Sequence, residues 1–236
     1  MSSIIKSRSR FRCKGISLIQ LMVSIVIGLM LTIVVVQLFL GSKESYRLQQ
    51  GLSSMQESGR LAVYVLRDSI QMAGFPQYMN ISPLVDTTTV DKKSDELTIQ
   101  FYSDTDCLGN DITNIGNIAI NKFYVDNESL MCLGNGSRDA IPLMEGILQM
   151  QVVYGVDDDL DGVANRYQNA TTVDAESNWD QIVSIRVALL AKSDDVVKPK
   201  AETRRFVLLD EKPISITSRH VHRVFTVTYP IRNRML

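Results

Sequence analysis

The sequence predicts an α+β protein in which one long N-terminal helix packs on an antiparallel β-sheet domain. Two observations support this fold class. An uncharged apolar run over residues 16–40 continues into a stretch whose apolar residues recur every three or four positions, and from Pro83 onward the apolar residues alternate in short runs. The first period is that of a helix, and the second is that of strands with one buried face. The length of 236 residues suits one globular domain with an anchor.

Residues 1–15 form a basic leader. The leader carries five cationic residues and no acidic one: Lys6, Arg8, Arg10, Arg12 and Lys14. Without it, 20 basic residues stand against 26 acidic residues, a net charge of −6. Positive charges ahead of an apolar span are expected to keep the N terminus in the cytoplasm. The acidic remainder gives no reason to expect specific nucleic-acid binding.

The apolar run over 16–40 is predicted to be a transmembrane helix. Its 25 residues contain no charged side chain. At about 1.5 Å per residue they reach roughly 37 Å, which exceeds the roughly 30 Å of a bilayer core. A secretory signal peptide has a shorter apolar region, of about 7 to 15 residues, followed by a cleavage site with small residues. Removal of the whole run is therefore the weaker interpretation.

The helix is predicted to continue to residue 73. Beyond residue 42 the apolar positions fall in one stripe, and Gly59 lies in the same register. The stripe consists of Leu48, Leu52, Met55, Ala62, Leu66 and Ile70. This spacing is typical of an amphipathic helix, and Gly74 and Pro76 supply stop signals. The alternative is an anchor, a linker and a separate core helix.

Residues 74–236 are predicted to form one β-rich domain outside the cytoplasm. Seven runs alternate with a period of two and contain many β-branched residues: 96–103, 117–125, 129–133, 146–154, 182–191, 204–209 and 221–229. Asp126 and Asn127 are expected to connect a hairpin between two of them. Residues 87–95 and 193–202 are polar and are predicted to be exposed loops.

The N-terminal pattern resembles that of the type IV prepilins. A basic leader and a glycine precede the hexapeptide Gly15-Ile16-Ser17-Leu18-Ile19-Gln20, and the apolar and amphipathic helix follows. Three later segments, 154–167, 178–193 and 223–234, resemble the PilW group of type IV pilus minor pilins. The resemblance implies a pilin-like fold. It also implies that a prepilin peptidase cuts between Gly15 and Ile16 and methylates the new N terminus.

The same resemblance implies a function and a set of partners. A minor pilin resides in the inner membrane with its N terminus in the cytoplasm, and after assembly it lies in a pilus on the cell surface. It would help to initiate, prime or cap type IV pili. Its partners would be other minor pilins, the major pilin, the prepilin peptidase and the inner-membrane assembly platform. A type II secretion pseudopilin shares the leader and the architecture and is a close alternative.

Gln20 departs from the family pattern. The family commonly has a glutamate at this fifth mature position, where it is thought to pair with the N-terminal amine of a neighbouring subunit. A neutral amide accepts a hydrogen bond but does not neutralise a charged amine in an apolar bundle. We therefore expect a place in a small tip or priming complex rather than along the filament. The alternative is that glutamine is a tolerated variant.

The cysteines divide between the leader and the body. Cys13 lies in the leader, so its removal leaves the pair Cys107 and Cys132. A pair in an exported domain predicts a disulfide. Two free, buried thiols are the alternative.

The most specific local motif is an acidic loop. Asp157, Asp159 and Asp161, followed by Gly162, match the opening of an EF-hand-type calcium loop. Gln168 stands where that loop carries a bidentate glutamate, and flanking helices are not expected. A later carboxylate, from Asp174, Glu176 or Asp180, could complete the site. Calcium is thus the candidate cofactor, and a solvated Asp/Gly turn is the alternative.

The chain is not expected to be an enzyme. His220 and His222 are predicted to project from one face of a strand, and two ligands without a third make a weak metal site. No nucleophile elbow, P-loop or dinucleotide fingerprint is present in the sequence. The second function considered is a membrane-anchored periplasmic domain that binds calcium or adheres to a surface and keeps its leader.

Overall fold

The structure is a computed structural model that describes residues 17–76, 83–84 and 94–234. By its internal contacts the chain divides into two units, Met1–Tyr46 and Arg47–Leu236. The first unit consists, where described, of the N-terminal part of helix α1 (Leu18–Met72). Every described residue of this unit is exposed. The helix is long and apolar enough to cross a membrane, judged by length and composition alone.

Among its described residues, the second unit contains the rest of α1 and ten strands. The strands are β1 (Leu97–Tyr102), β2 (Ile118–Asp126), β3 (Ser129–Gly134), β4 (Ile141–Glu145), β5 (Ile147–Val156), β6 (Arg166–Gln168), β7 (Ile182–Lys192), β8 (Glu202–Phe206), β9 (Ile214–Ser218) and β10 (His222–Pro230). A short helix, α2, covers Ala170–Glu176, and 3-10 turns lie at Thr113–Ile115, Trp179–Gln181 and Arg232–Arg234. All pairs among these ten strands are antiparallel.

The strands form three sheets rather than the single sheet that the sequence predicted. One four-stranded sheet has the order β1-β2-β3-β4, a second has the order β10-β7-β5-β6, and β8 pairs with β9 in a two-stranded ribbon. The turn between β2 and β3 is at Asn127 and Glu128, both with positive φ, one residue later than predicted. Alternation shows which face of a strand is buried, but it does not show which strands pair.

The main core lies between α1 and the two larger sheets. The stripe of α1 that the sequence predicted is buried at Met55, Ala62, Leu66 and Ile70, although Leu48 is exposed. These side chains belong to one apolar cluster with residues from both sheets, among them Phe123, Tyr154 and Leu189. Burying a side chain of this size stabilises the fold by about 1.5–3 kcal/mol. The predicted α+β class is confirmed, and α1 is one continuous helix through both of its predicted halves.

A smaller core lies on the opposite face of β7. Ala188 and Leu190 of β7 contact Leu208 and the partly buried side chains of the β8–β9 ribbon. Because α1 covers one face of β7 and the ribbon covers the other, this strand is buried on both faces. That position explains why its sequence is apolar almost without interruption.

The predicted loop over 193–202 is only partly exposed. Ser193 is fully buried and Val197 is 6% exposed. The Ser193 backbone N–H donates to the Val221 carbonyl, and its hydroxyl donates to the Asp195 carbonyl. Polar composition predicted exposure, but these hydrogen bonds satisfy the serine inside the domain. Asp95, at the end of the other predicted loop, is also buried.

Candidate functional site

The N terminus of α1 is the first element on which the predicted function depends. The proposed cleavage residues Gly15 and Ile16 lie outside the described residues. Gln20 lies in the first turn of the helix, where its side-chain oxygen accepts a hydrogen bond from the Ser17 backbone N–H at 3.2 Å. This is the returning bond of a capping box, in which the third helical residue reaches back to the cap. Gln20 therefore has a local role as a helix cap.

The apolar part of α1 presents large hydrophobic side chains on all sides. Residues from Leu18 to Leu40 are exposed, with Leu18 at 72% and Phe39 at 66%. Two polar side chains in this part bond to the helix itself: Ser24 donates to the Gln20 carbonyl and Thr32 donates to the Gly28 carbonyl. Hydroxyls that are satisfied in this way do not need water. The segment therefore suits a lipid or protein environment.

The second half of α1 approaches the domain closely at two glycines. A Cβ atom added to Gly51 would lie 2.5 Å from Cγ1 of Val197. A Cβ added to Gly59 would lie 2.5 Å from Cζ of Phe225 in β10 and closer still to Cε2 of the same ring. The helix and β10 are also joined by Tyr229, whose hydroxyl donates to the Val63 carbonyl. Gly59 thus permits the contact that seats the helix against the Phe225 side chain of β10.

The structure joins Cys107 and Cys132 in a disulfide. The bond links the loop after β1 to β3. The side chain of Asp106 stabilises the same loop. The carboxylate of Asp106 accepts backbone hydrogen bonds from Leu108, Asn110 and Gly136. Burial acts to raise the pKa of Asp106, but the hydrogen bonds from Asn110, Leu108 and Gly136 hold that pKa below the usual aspartate value.

The acidic loop brings the three predicted carboxylates together. One oxygen of each of Asp157, Asp159 and Asp161 lies within 4.8 Å of the others. Asp157 is buried and the other two are exposed. Gly162 has a φ of +86°, which is the left-handed conformation that a sharp turn requires. Three carboxylates supply part of the roughly six to eight oxygens that calcium takes.

Asp157 already has partners within the loop. Its carboxylate accepts hydrogen bonds from the Gly162 N–H at 2.8 Å and the Asp161 N–H at 3.2 Å. Burial acts to raise the pKa of Asp157, and the hydrogen bonds that its carboxylate accepts from the backbone N–H groups of Gly162, Asp161 and Leu160 outweigh burial and lower that pKa. The loop is therefore ordered by its own backbone. Calcium binding here stays a prediction.

Gln168 and the later carboxylates that could have completed the calcium site interact with other partners. Gln168, at the twelfth position, lies in β6 and donates to Glu176. Glu176 also forms an ion pair with Arg166 at 2.9 Å. Asp174 accepts from the Trp179 indole, and Asp180 lies 3.5 Å from Arg234. Within the described residues, the convergent group contains the three loop aspartates and none of these later carboxylates.

The two histidines do not project from one strand face as predicted. His220 precedes β10, and its Nδ1 lies 2.8 Å from the Ser193 carbonyl. His222 begins β10, with its ring 5.7 Å from that of Phe206. Burial lowers the pKa of His222, and the charges of His220, Lys198 and Lys192 lower it further. The pair is part of the domain structure.

One polar cleft has no counterpart in the sequence analysis. It has a volume of about 350 Å³, and its lining includes Asp95, Gln151, Asn169 and Asp210. Asp95 accepts a hydrogen bond from the Val152 N–H at 2.8 Å, and Asn169 donates to Asp210 at 3.1 Å. Residues so far apart in the chain carry no local motif. The sequence therefore offered no signal for this cleft.

Comparison with known proteins agrees with this architecture. Residues 117–233 match the family described as Type IV Pilus-assembly protein W. A solved structure, the type IV-like pilin TTHA1219 from Thermus thermophilus, matches with a TM-score of 0.50 and 14% sequence identity, covering 77% of this chain and 98% of that one. At this identity the structural match shows the fold alone. No curated protein sequence matches the chain. The family match confirms the predicted resemblance to the PilW group.

Proposed function

We infer from the family match and the pilin-like fold that the chain is a type IV pilus minor pilin of the PilW group. We propose that it helps to initiate, prime or cap pilus assembly. The observation that carries the proposal is helix α1, Leu18–Met72, which is exposed and apolar in its first half and packed on the domain in its second. An element of this kind can lie in a membrane and later pack among neighbouring helices without refolding the domain.

In this proposal the chain works by interaction and catalyses nothing. A prepilin peptidase cuts after Gly15 and methylates Ile16. Before assembly the subunit resides in the inner membrane with its N terminus in the cytoplasm. It then joins other minor pilins and the major pilin through the assembly platform and reaches the cell surface in the pilus.

The first experiment measures the intact mass and N-terminal sequence of the protein recovered from membranes. We expect a chain that begins at methylated Ile16, and we expect Gly15→Leu to leave the leader attached. A wild-type chain that begins at or near Met1 would overturn the proposal. The membrane-anchored periplasmic domain would then be the better account.

A second experiment tests the assembly role directly. Deleting the gene in the source bacterium should reduce the number of surface pili, and the wild-type gene should restore them. Normal piliation in the deletion strain, together with lost secretion of exported proteins, would instead identify a type II secretion pseudopilin.

Gln20 provides a test of position. Gln20→Glu keeps the local hydrogen bond to Ser17 and adds a charge that can pair with a neighbouring amine. We expect this variant to be incorporated along the filament, measured by immunogold labelling, whereas wild type is confined to one end. Identical labelling of the two would show that glutamine has no positional role.

A further inference from the structure

Strand β10, His222–Pro230, is the outermost strand of the second sheet. It pairs with β7 along its full length, from His222 opposite Lys192 to Pro230 opposite Ser184, without a register shift. On its other side no strand pairs with it within the part of the chain that the structure describes. One long edge of the sheet therefore has no strand paired with it among the described residues.

The hydrogen bonds at the two ends of β10 show which backbone groups face outward. The Ser193 N–H donates to the Val221 carbonyl at 2.9 Å, and the Ile231 N–H donates to the Val183 carbonyl at 2.8 Å. Because hydrogen-bonded pairs alternate along an antiparallel ladder, odd-numbered residues bond to β7 and even-numbered residues present their backbone to the open side. The outward N–H groups belong to His222, Val224, Thr226 and Thr228.

The other sheet edges carry features that limit further pairing. An isolated bridge between Leu84 and Ile99 occupies the outer side of β1. Strand β4 contains Pro142 and a register shift in its pairing with β3. Strand β6 has three residues, and β8 and β9 have five each. Strand β10 has nine residues, and its one proline, Pro230, is at its end. A long, regular open edge is a template for another strand.

The charge around this edge indicates the chemistry of the partner. Residues 212–236, which comprise β10 and the segments before and after it in the sequence, contain five cationic residues and no acidic one: Lys212, Arg219, Arg223, Arg232 and Arg234. Of these, Arg223 lies in β10 itself, and Arg234 pairs with Asp180. Arg223 lies over the ring of Phe225 at 5.4 Å. Two copies joined through β10 would bring two such cationic segments together, so charge disfavours a second copy. An acidic strand is complementary to it.

We propose that β10 accepts an extended acidic segment of another protein as an added strand. The segment's carbonyls would receive the four outward N–H groups, and its carboxylates would pair with Arg223 of β10 and with the cationic residues that flank the strand in the sequence. This is recognition by strand addition, in which the backbone supplies affinity and the flanking charges supply selectivity. The inference rests on the proposed function, because it names the kind of partner surface by which this pilin would join its assembly.

The test uses the full chain in non-ionic detergent and fluorescent eight-residue peptides of alternating threonine and glutamate. We expect saturable binding by fluorescence anisotropy, weakened by salt, and no binding of the peptide in which lysine replaces glutamate. In two further peptides, alternate backbone amides carry N-methyl groups. The methyl groups lie along one edge of the extended strand in the first peptide and along the opposite edge in the second. Because only one edge faces β10, methylation of that edge should abolish binding and methylation of the other should not.

Variants of the protein provide the second readout. Thr226→Pro removes one outward N–H without removing a bond to β7, and we expect affinity to fall at least about tenfold. Thr226→Val keeps that N–H and should bind as wild type does. Equal binding of both N-methylated peptides, or no binding of the unmodified acidic peptide, would overturn the proposal. Neither result would alter what the piliation of the deletion strain says about the assembly role. The strand-addition proposal and the proposed function can therefore fail independently.

Discussion

Replacing Gly59 by alanine tests how α1 is seated on the domain. The added methyl carbon would lie 2.5 Å from Cζ of Phe225, well inside van der Waals contact. The Phe225 side chain is partly buried and packs against the main core, and its backbone pairs with β7 opposite Leu189. The ring must therefore leave its place on the core, or the helix or the strand must shift.

Two opposing effects set the change in the free energy of unfolding that Gly59→Ala causes. Overfilling a packed interface costs about 1–3 kcal/mol. Alanine is favoured over glycine in a helix by about 1 kcal/mol. Because the clash is with a ring confined between α1 and the sheet, we place the cost in the upper half of its range. The net effect should be a loss of about 1–2 kcal/mol in the free energy of unfolding.

Urea unfolding of the full chain in detergent measures this loss. Trp179, the single tryptophan, packs edge-on against the buried Tyr154 at 5.2 Å and reports on the second unit. With a urea m-value of about 2 kcal/mol/M, the midpoint should fall by about 0.5–1 M. The matched control is Gly41→Ala, because nothing lies within 4 Å of a Cβ at that helical position. It should cause no loss.

A double variant separates the clash from other effects. In Gly59→Ala with Phe225→Leu the ring that the methyl group meets is gone, so the combined loss should be smaller than the sum of the two single losses. A Gly59→Ala protein that is as stable as wild type, or more stable, would refute the reasoning. Additive losses in the double variant would show that Phe225 is not the neighbour responsible.

Four further predictions concern the disulfide, the histidine and the acidic loop. Replacing Cys107 and Cys132 with serine should lower the free energy of unfolding by about 3 kcal/mol, because the bond closes a loop with a sequence separation of 25; a reducing agent should have no effect on the variant. The pKa of His222 is lowered in the folded state, so stability should be full above pH 6.5 and fall as the pH drops from 6.5 toward the folded value; thermal unfolding of His222→Gln should lack this dependence. Millimolar calcium should raise the Tm of the full chain relative to chelator if the loop binds it, and Asp159→Asn should abolish the rise; an unchanged Tm in wild type would eliminate calcium. Asp157→Ala should lower the Tm more than Asp159→Ala does, because the Asp157 carboxylate accepts the backbone N–H groups of Asp161 and Gly162.

The sequence by itself determined the elements whose signal is local. The apolar run and the stripe that follows it predicted one helix to residue 73, and α1 ends at Met72. Strand β7 was predicted at 182–191 and observed at Ile182–Lys192, because its residues are apolar on both faces. These features depend on neighbours along the chain, so a periodic pattern is enough to find them. The prepilin-like hexapeptide is local in the same sense.

Tertiary structure alone decided the pairing. It placed β4, β6 and β9, three strands of at most five residues that the sequence had not predicted, and it divided the strands among three sheets. It buried Ser193 through hydrogen bonds to residues far along the chain, and it engaged Gln168 and Glu176 with each other rather than with the acidic loop. The position of β10 at an open edge follows from the absence, among the described strands, of a partner on one side. The reason is common to all of these: a strand's sequence specifies which face is buried, whereas its neighbours are fixed by contacts between distant segments.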